Sequence, residues 1–576
     1  MRNVAYLLAA GGMLAVSLAA CGGSGGTSSG SPASSFNAAV NGIVNVSTKT
    51  GGIVKYANSG DWDDMDPGDT YYAYTWNFDR LFARTLVTFG DTPQTATTLV
   101  PDLATNLGTP SKDLKTWTYT LRPGVKFEDG TPVTAKDVKY AVERSMDSTT
   151  FPNGPTYFAQ VLDAKGYAGP YKDKTPLKAI DTPNDSTIVF HLAQPFAEFD
   201  YLAMLPDTAP VPQAKDTGAN YKSHVIATGP YMFQGNYTPG KDFTLVKNPN
   251  WSQSTDPVRH QYADQIQVQI NAAAPDIDNR LLAGTLGVDI TGSGVLPATQ
   301  AKILLDSKLK QYTDNALTTR LWMSAISPTV APFDNIHCRK AVEYATDKTA
   351  MQTAFGGPLG GDIATTLLPP SIPGYTKFDD YPVGPAGHGD LTMAKQELTA
   401  CGKPNGFTTT IIARAERPKE VAAALAWQQG LLQVGIKTDI KKFPQGDYFK
   451  LYAGNKAAVK KNGYGLMMYG WGADWNDGYG DLSQIVDPRA IHGVGDTNLG
   501  VTDPAVATLI DKALQTTDTN ARNTLWGQVD KMVMDEAIYV PFLNAKGLYY
   551  RPPNLKNVWV NPAFNGQYDY LSISAN

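Results

Sequence analysis

Between Thr116 and Arg144 the spacing of apolar residues changes period, and each change predicts an element. Trp117, Tyr119 and Leu121 alternate with Thr118, Thr120 and Arg122, the two-residue period of a half-buried strand. Pro123-Gly124 predicts a type II turn, because proline presets the first central dihedral and glycine accepts the positive φ that follows. Val125 and Phe127 resume the alternation as a second strand until Asp129-Gly130 and Pro132 interrupt it. Thr134 and Asp137 then stand as a helix N-cap and an acidic residue three positions on. Val138, Ala141, Val142 and Ser145 follow at helical spacing, with Lys136, Lys139, Glu143 and Arg144 mainly on the other side. The stretch reads as strand, turn, strand and capped helix.

The same reading extends along the chain. A strand at 51–56 leads to Asp61-Trp62-Asp63-Asp64-Met65-Asp66-Pro67, which lacks the glycine and distal glutamate of a calcium loop and reads as a structural loop. Tyr71, Tyr72, Tyr74 and Trp76 cluster before a helix predicted at 78–86 by the stripe Phe78, Leu81, Phe82 and Leu86. A Gly/Pro-rich excursion at 152–176 precedes a strand at 187–192, and further on a strand at 266–270 precedes a helix at 274–282. Residues 390–400 form a helix closed by Cys401-Gly402, whose glycine suits a positive-φ C-terminus. A strand at 408–413, a helix at 419–434 and a strand at 436–440 imply a doubly wound αβ lobe.

Composition narrows the class. Of the 576 residues, 49 are basic and 54 acidic, a formal charge of −5, and no basic run or basic-aromatic platform courts nucleic acid. Met1-Arg2, an apolar run at 4–20 and the small residues Leu18-Ala19-Ala20 before Cys21 form a signal peptide. The segment 22–35 is almost wholly Gly, Ser, Thr, Ala and Pro and reads as a flexible tether. Its Gly22-Gly23-Ser24-Gly25-Gly26 fits the hydrolase G-x-S-x-G in letters only, since no strand precedes it and no helix follows. More than five hundred remaining residues exceed one hydrophobic core at about 100–200 residues per domain, so two or more lobes are expected. The other cysteines, Cys338 and Cys401, are read as a disulfide that an extracytoplasmic location permits, two buried thiols being the alternative.

Several stretches carry a family resemblance. Trp117-Thr118-Tyr119-Thr120-Leu121-Arg122-Pro123-Gly124 through Val138 resembles the signature of the extracytoplasmic solute-binding proteins of the peptide/nickel family, receptors of ABC importers. Thr228-Gly229-Pro230-Tyr231 closed by Asn248-Pro249-Asn250-Trp251 resembles a second signature, and Pro332-Phe333-Asp334 before Arg339 to Lys348 a third, with Asp334 or Asn335 capping the helix. Leu18-Ala19-Ala20-Cys21 resembles the bacterial lipobox, which makes Cys21 the lipidated mature N-terminus.

The resemblance implies an α/β, bilobal periplasmic-binding-protein-like fold with a ligand cleft between two αβ lobes and an extra subdomain in the first. The implied partition is a signal peptide at 1–20, a lipidated cysteine and linker at 21–50, lobe I at 51–86, its subdomain at 87–191, lobe I again at 192–313, lobe II at 314–540 and a return to lobe I at 541–576. The lobes are joined by crossings near 311–322 and 538–548. It implies a monomeric, lipid-anchored receptor outside the cytoplasmic membrane that hands its ligand to ABC permease subunits and needs no cofactor.

Site residues follow from the same comparison. Gly470-Trp471-Gly472-Ala473-Asp474 resembles the family's G-W-x-A-D motif, whose aspartate pairs with a peptide α-ammonium in peptide-binding members. That places Asp474 as the ammonium anchor, with Tyr469, Trp471, Trp475 and Asn476 around it at a strand end, where ligands of αβ sheets bind. Arg417-Pro418 matches the position that dipeptide-binding members use for the C-terminal carboxylate, with Arg414 as the neighbour that replaces it. Tyr72, Tyr74 and Trp322 are assigned to the cleft wall, core packing being the alternative for the tyrosines. Peptides lead as ligands, and oligosaccharides stacked on the aromatics follow. A hydrolase using two of Asp474, Asp477 and Asp481 is the reading outside the class. The six histidines, at 191, 224, 260, 337, 388 and 492, never pair at zinc-ligand spacing, and no phosphate-binding loop occurs.

Overall fold

The computed structural model describes residues 35–384 and 388–575. The signal peptide and Cys21 lie outside the described residues, among which no helix is long and apolar enough to cross a membrane. Three sheets organise the chain. Lobe I holds a five-stranded sheet in the order Val288–Asp289, Ile53–Ala57, Gln265–Gln269, Phe243–Lys247, Tyr231–Phe233. Lobe II holds a six-stranded sheet in the order Gly361–Asp362, Tyr539–Tyr550, Thr313–Ile326, Leu466–Gly472, Thr408–Arg414, Lys437–Phe443. A four-stranded sheet, Thr109–Pro110, Thr116–Thr120, Thr187–His191 and Ile180–Asn184, carries the first sequence signature.

Local chemistry explains much of that signature. Trp117 and Tyr119 point into the core and the threonines between them do not, as the two-residue period requires. Gly124 has φ 80°, the value the Pro-Gly turn demands. The helix Ala135–Ser145 opens on a reciprocal capping box, in which Asp137 accepts from the backbone N–H of Thr134 at 2.8 Å. The second strand expected at 125–127 does not form. Only a single bridge between Lys126 and Pro132 marks it, and the strand Thr116–Thr120 pairs instead with Thr187–His191. Asp129-Gly130 turns the chain too soon, and the backbone N–H of Glu128 bonds to Ala227 O instead of to a neighbouring strand.

The helix expected at 78–86 is Ala73–Asp79. Phe78, Leu81, Phe82 and Leu86 are all buried, but the chain turns after Asp79, and the stripe reports burial alone. The lobe II sheet is mixed: Thr408–Arg414 runs parallel to Lys437–Phe443 and Leu466–Gly472, whereas the long strand Thr313–Ile326 is antiparallel to both its neighbours. Asn335 caps the helix Ile336–Ala345 by accepting from the N–H of His337 at 2.9 Å.

A buried charge cluster ties the start of the first signature region to lobe I. Arg84 Nε donates to Asp102 Oδ1 at 2.8 Å, and Arg259 Nη1 lies 2.8 Å from Asp102 Oδ2 and 3.3 Å from Asp256 Oδ1. Burial raises the pKa of Asp256, but Arg259 and then Arg84 outweigh it and hold the carboxyl at about 2. Arg122 of the signature donates to the carbonyl of the same Asp102 at 3.1 Å.

The strands Thr313–Ile326 and Tyr539–Tyr550 join the lobes. Their antiparallel pairing runs from Thr313 opposite Tyr550 to Leu317 opposite Lys546, breaks, and resumes with Leu321 opposite Asn544. Side chains satisfy the break: Thr318 Oγ1 donates to Ala545 O at 2.8 Å and accepts from Arg320 N at 3.1 Å, while Thr319 Oγ1 donates to Asn565 Oδ1 at 2.9 Å. Toward Tyr539–Tyr550 the three residues between the two registers are therefore held by side chains and not by the ladder, while Arg320 keeps its register with Gly472 on the other side, and Thr318 and Arg320 face the cleft.

Cys338, in the first turn of Ile336–Ala345, is bonded to Cys401 at the end of Leu391–Ala400, with Cα atoms 5.3 Å apart and a sequence separation of 63. Closing a loop of that length restricts the unfolded chain, so reduction is expected to cost lobe II roughly 2–4 kcal/mol. Urea unfolding of the Cys338→Ser/Cys401→Ser double variant measures this; an unmoved midpoint contradicts it.

Candidate functional site

Lobes I and II enclose a cleft of about 1900 Å³ of atom-free space, its open mouth included. Two stations of opposite charge lie within it.

The acidic station is Asp474, in the turn after the strand Leu466–Gly472, with its backbone N–H bonded to Gly480 O. Two hydroxyls from lobe I converge on one of its oxygens: Tyr71 Oη donates to Oδ2 at 2.8 Å and Tyr157 Oη at 2.5 Å. The other oxygen, Oδ1, accepts no side-chain hydrogen bond among the described residues. Burial pushes the Asp474 carboxyl up to about 7, against the lowering effect of the two tyrosines, and Asp207 adds to the rise. Asp63 supports the arrangement by accepting from Tyr71 N and from Thr70 Oγ1 at 2.7 Å, and burial raises it to about 6. The neighbouring aspartates are engaged in structure, Asp61 with Tyr237 Oη and Asp66 with Arg144, as a loop role requires.

The basic station gathers around Trp322. The guanidinium carbons of Arg320, Arg417 and Arg414 lie 5.4, 5.8 and 5.9 Å from its ring centroid. Arg414 is bound to Glu420, its backbone N–H bonding to Oε1 at 2.8 Å and its Nε to Oε2 at 2.9 Å. Arg417 is the N-cap of the helix Pro418–Leu432 and donates through Nε to Gln445 Oε1 at 2.7 Å, which leaves its terminal nitrogens for other acceptors. Burial lowers the pKa of Arg417, with Arg414 next in effect.

Aromatic side chains wall the space between. Trp471 meets Tyr71 edge to face at 5.8 Å, and its Nε1 has no acceptor among the described residues. Tyr72 reaches across to Gln445 O at 3.4 Å and stacks on Tyr74, 5.2 Å between centroids. Tyr74 is otherwise buried against Trp62, so it serves core and cleft together.

Of the residues the sequence pointed to, Tyr72, Tyr74, Trp322, Arg417, Trp471 and Asp474 line the cleft. Tyr469, Trp475 and Asn476 do not. Tyr469 sits two residues deeper in the strand, covered by Phe449 and Tyr539. Trp475 stacks on Tyr201 at 5.6 Å and packs on Tyr157, cementing the subdomain to lobe II. Asn476 lies in the turn beyond the lining. Sequence reasoning missed Tyr157 and Arg320. Tyr157 belongs to the Gly/Pro-rich excursion and, itself buried, reaches the wall through its bond to Asp474, while Pro152 and Asn153 of the same excursion line the cleft. The three aspartates of the hydrolase reading do not assemble: Asp477 caps the helix Gly478–Val486 and Asp481 is buried in its first turn, so that of the three only Asp474 lines the cleft.

Comparisons with known proteins bear on the family and the fold. The family model for bacterial extracellular solute-binding proteins, family 5, matches residues 98–492. A solved structure titled clavulanic acid biosynthesis oligopeptide binding protein 2 is 39% identical, superposes with a TM-score of 0.86 and covers 94% of this chain and 98% of its own. The glutathione-binding protein GsiB of Salmonella typhi is 26% identical over 80% of this chain and 84% of its own length. The fold recurs in Helicobacter pylori DppA in complex with the peptide STSA, at a TM-score of 0.76, 21% identity, and coverage of 92% of this chain and 98% of that one. A bilobal α/β frame, a charged cleft between its lobes and a family match over more than half of the sequence place this chain among the bacterial extracellular solute-binding proteins of family 5.

Proposed function

We propose that the chain is the receptor of an ABC importer and that it captures peptides, Asp474 taking the α-ammonium and Arg417 the carboxylate. The observation that carries this reading is the pairing of an acidic and a basic station in one aromatic-walled cleft. A neutral sugar leaves both stations desolvated and unanswered, which disfavours the oligosaccharide reading despite Tyr72, Trp322 and Trp471. A zwitterionic chain answers both, and its carbonyls supply an acceptor for Trp471 Nε1. The 39%-identical relative bears the name of an oligopeptide binding protein, and the ligand in the name of GsiB is itself a small peptide with free carboxylates. Cys21 supplies the lipid anchor that holds a monomeric receptor at the outer face of the cell membrane, beside its permease.

Native mass spectrometry of the purified protein, followed by calorimetry with the peptides and with xylo- and cello-oligosaccharides, tests the reading. Co-purified peptides and micromolar peptide affinity are expected. Oligosaccharide binding without a peptide response overturns it.

A further inference from the structure

Arg320 is the one arginine of the basic station whose guanidinium meets no acceptor among the described residues. Arg414 has Glu420, and Arg417 has Gln445. No oxygen among the described residues accepts from the Arg320 guanidinium, which leans on the Trp322 ring; burial, then Arg417, then Arg414 lower its pKa. A desolvated guanidinium beside two others is costly to hold and persists where something else supplies the anion. Its backbone is equally deliberate. Thr318 and Arg320 lie in the register break between the crossing strands, and the side chain of Thr318 holds Arg320 N in place.

We propose that Arg320 is a specificity-determining anchor for the ligand's carboxylate, reaching it from the strand crossing while Arg417 reaches it from the helix N-terminus in lobe II. The carboxylate then lies between two planar forks of N–H donors, each suited to two parallel bonds. The receptor reads a free C-terminus twice, and it discriminates against amidated or otherwise neutral ends more strongly than one arginine would. The strand crossing takes part in ligand contact as well as joining the lobes, so ligand charge acts directly where the lobes rotate. This rests on the peptide reading, and the experiment separates the two.

The probes are a mixture of free-acid tetrapeptides, the same mixture C-terminally amidated, and glutarate, a dicarboxylate with no ammonium. Full-length wild type, Arg320→Gln and Arg320→Lys are compared by the members retained after ultrafiltration, read by mass spectrometry, and by melting temperature with and without glutarate. Wild type is expected to prefer free acids over amides by a factor that Arg320→Gln lowers about 10- to 100-fold, with amide retention unchanged. Arg320→Lys, which keeps the charge without the fork, falls between. The melting temperature of ligand-free Arg320→Gln is expected to stay level or rise, because an unpaired buried charge is removed; a structural arginine would lower it. An unchanged free-acid preference in Arg320→Gln overturns the proposal. If wild type retains no peptide, the peptide reading fails by itself. The anchor then stands where glutarate raises the melting temperature of wild type but not of Arg320→Gln, and falls where both respond alike.

Discussion

Asp474→Ala is expected to weaken peptide binding by about 2–5 kcal/mol, roughly 30-fold to several thousand-fold, as measured by calorimetry at pH 8. The size follows from what the substitution leaves behind. A ligand ammonium loses its carboxylate in a desolvated cleft, and the hydroxyls of Tyr71 and Tyr157 lose the oxygen on which they converge. A pH titration gives an independent check. Free Asp474 holds its proton up to about 7 because it is buried, and an ammonium needs the ionised form. Affinity in wild type should therefore be flat above pH 7 and fall by up to tenfold per unit below it, with a proton released on binding. Asp474→Asn keeps the shape and should show weak binding with no such slope. Full peptide affinity in either variant would falsify the ammonium role.

Arg84→Met is expected to destabilise lobe I by about 3–5 kcal/mol in urea unfolding followed by tryptophan fluorescence. In the wild type two guanidiniums face two carboxylates at full burial. The variant leaves Asp102 and Asp256 sharing Arg259, and it removes the bond from Arg84 Nη2 to Thr255 O at 2.7 Å. Asp256 gives the pH signature. Its folded value, about 2, lies below the roughly 4 of an unfolded aspartate, so its contribution is complete above that value and lost as pH falls through about 2. The variant should lose stability at a higher pH than wild type. A loss below 1 kcal/mol would show that the cluster is held by its surroundings and not by its charges.

What the sequence showed divides by range of interaction. The Pro123-Gly124 turn and the Thr134–Asp137 capping box depend on residues within a few positions and form as read. The partner of Thr116–Thr120 does not, because it lies at Thr187–His191, and alternation at 125–127 offers a nearer candidate that Asp129-Gly130 turns away. Phe78 to Leu86 has the spacing of a helix, yet its apolar residues are buried one by one along a turning chain. At the site, Asp474 and Arg417 were legible because motif residues sit at a strand end and a helix start. Tyr157 was not, since nothing in a Gly/Pro-rich excursion tells which tyrosine will touch a carboxylate 317 positions away. Arg320 drew no reading, because nothing in its neighbourhood in sequence signals the register break that turns it to the cleft. Tyr469 and Trp471 share a strand face, and the covering ring of Phe449 separates buried from accessible.

That break also bears on how fast the receptor works. Since Thr318 and Thr319 replace ladder bonds with side-chain bonds between Leu317 and Leu321, bending there strains side-chain torsions and leaves the paired segments on either side whole. A pivot there is expected to swing on the microsecond-to-millisecond scale of hinge motions, which leaves the residence time of cargo to the grip inside the cleft.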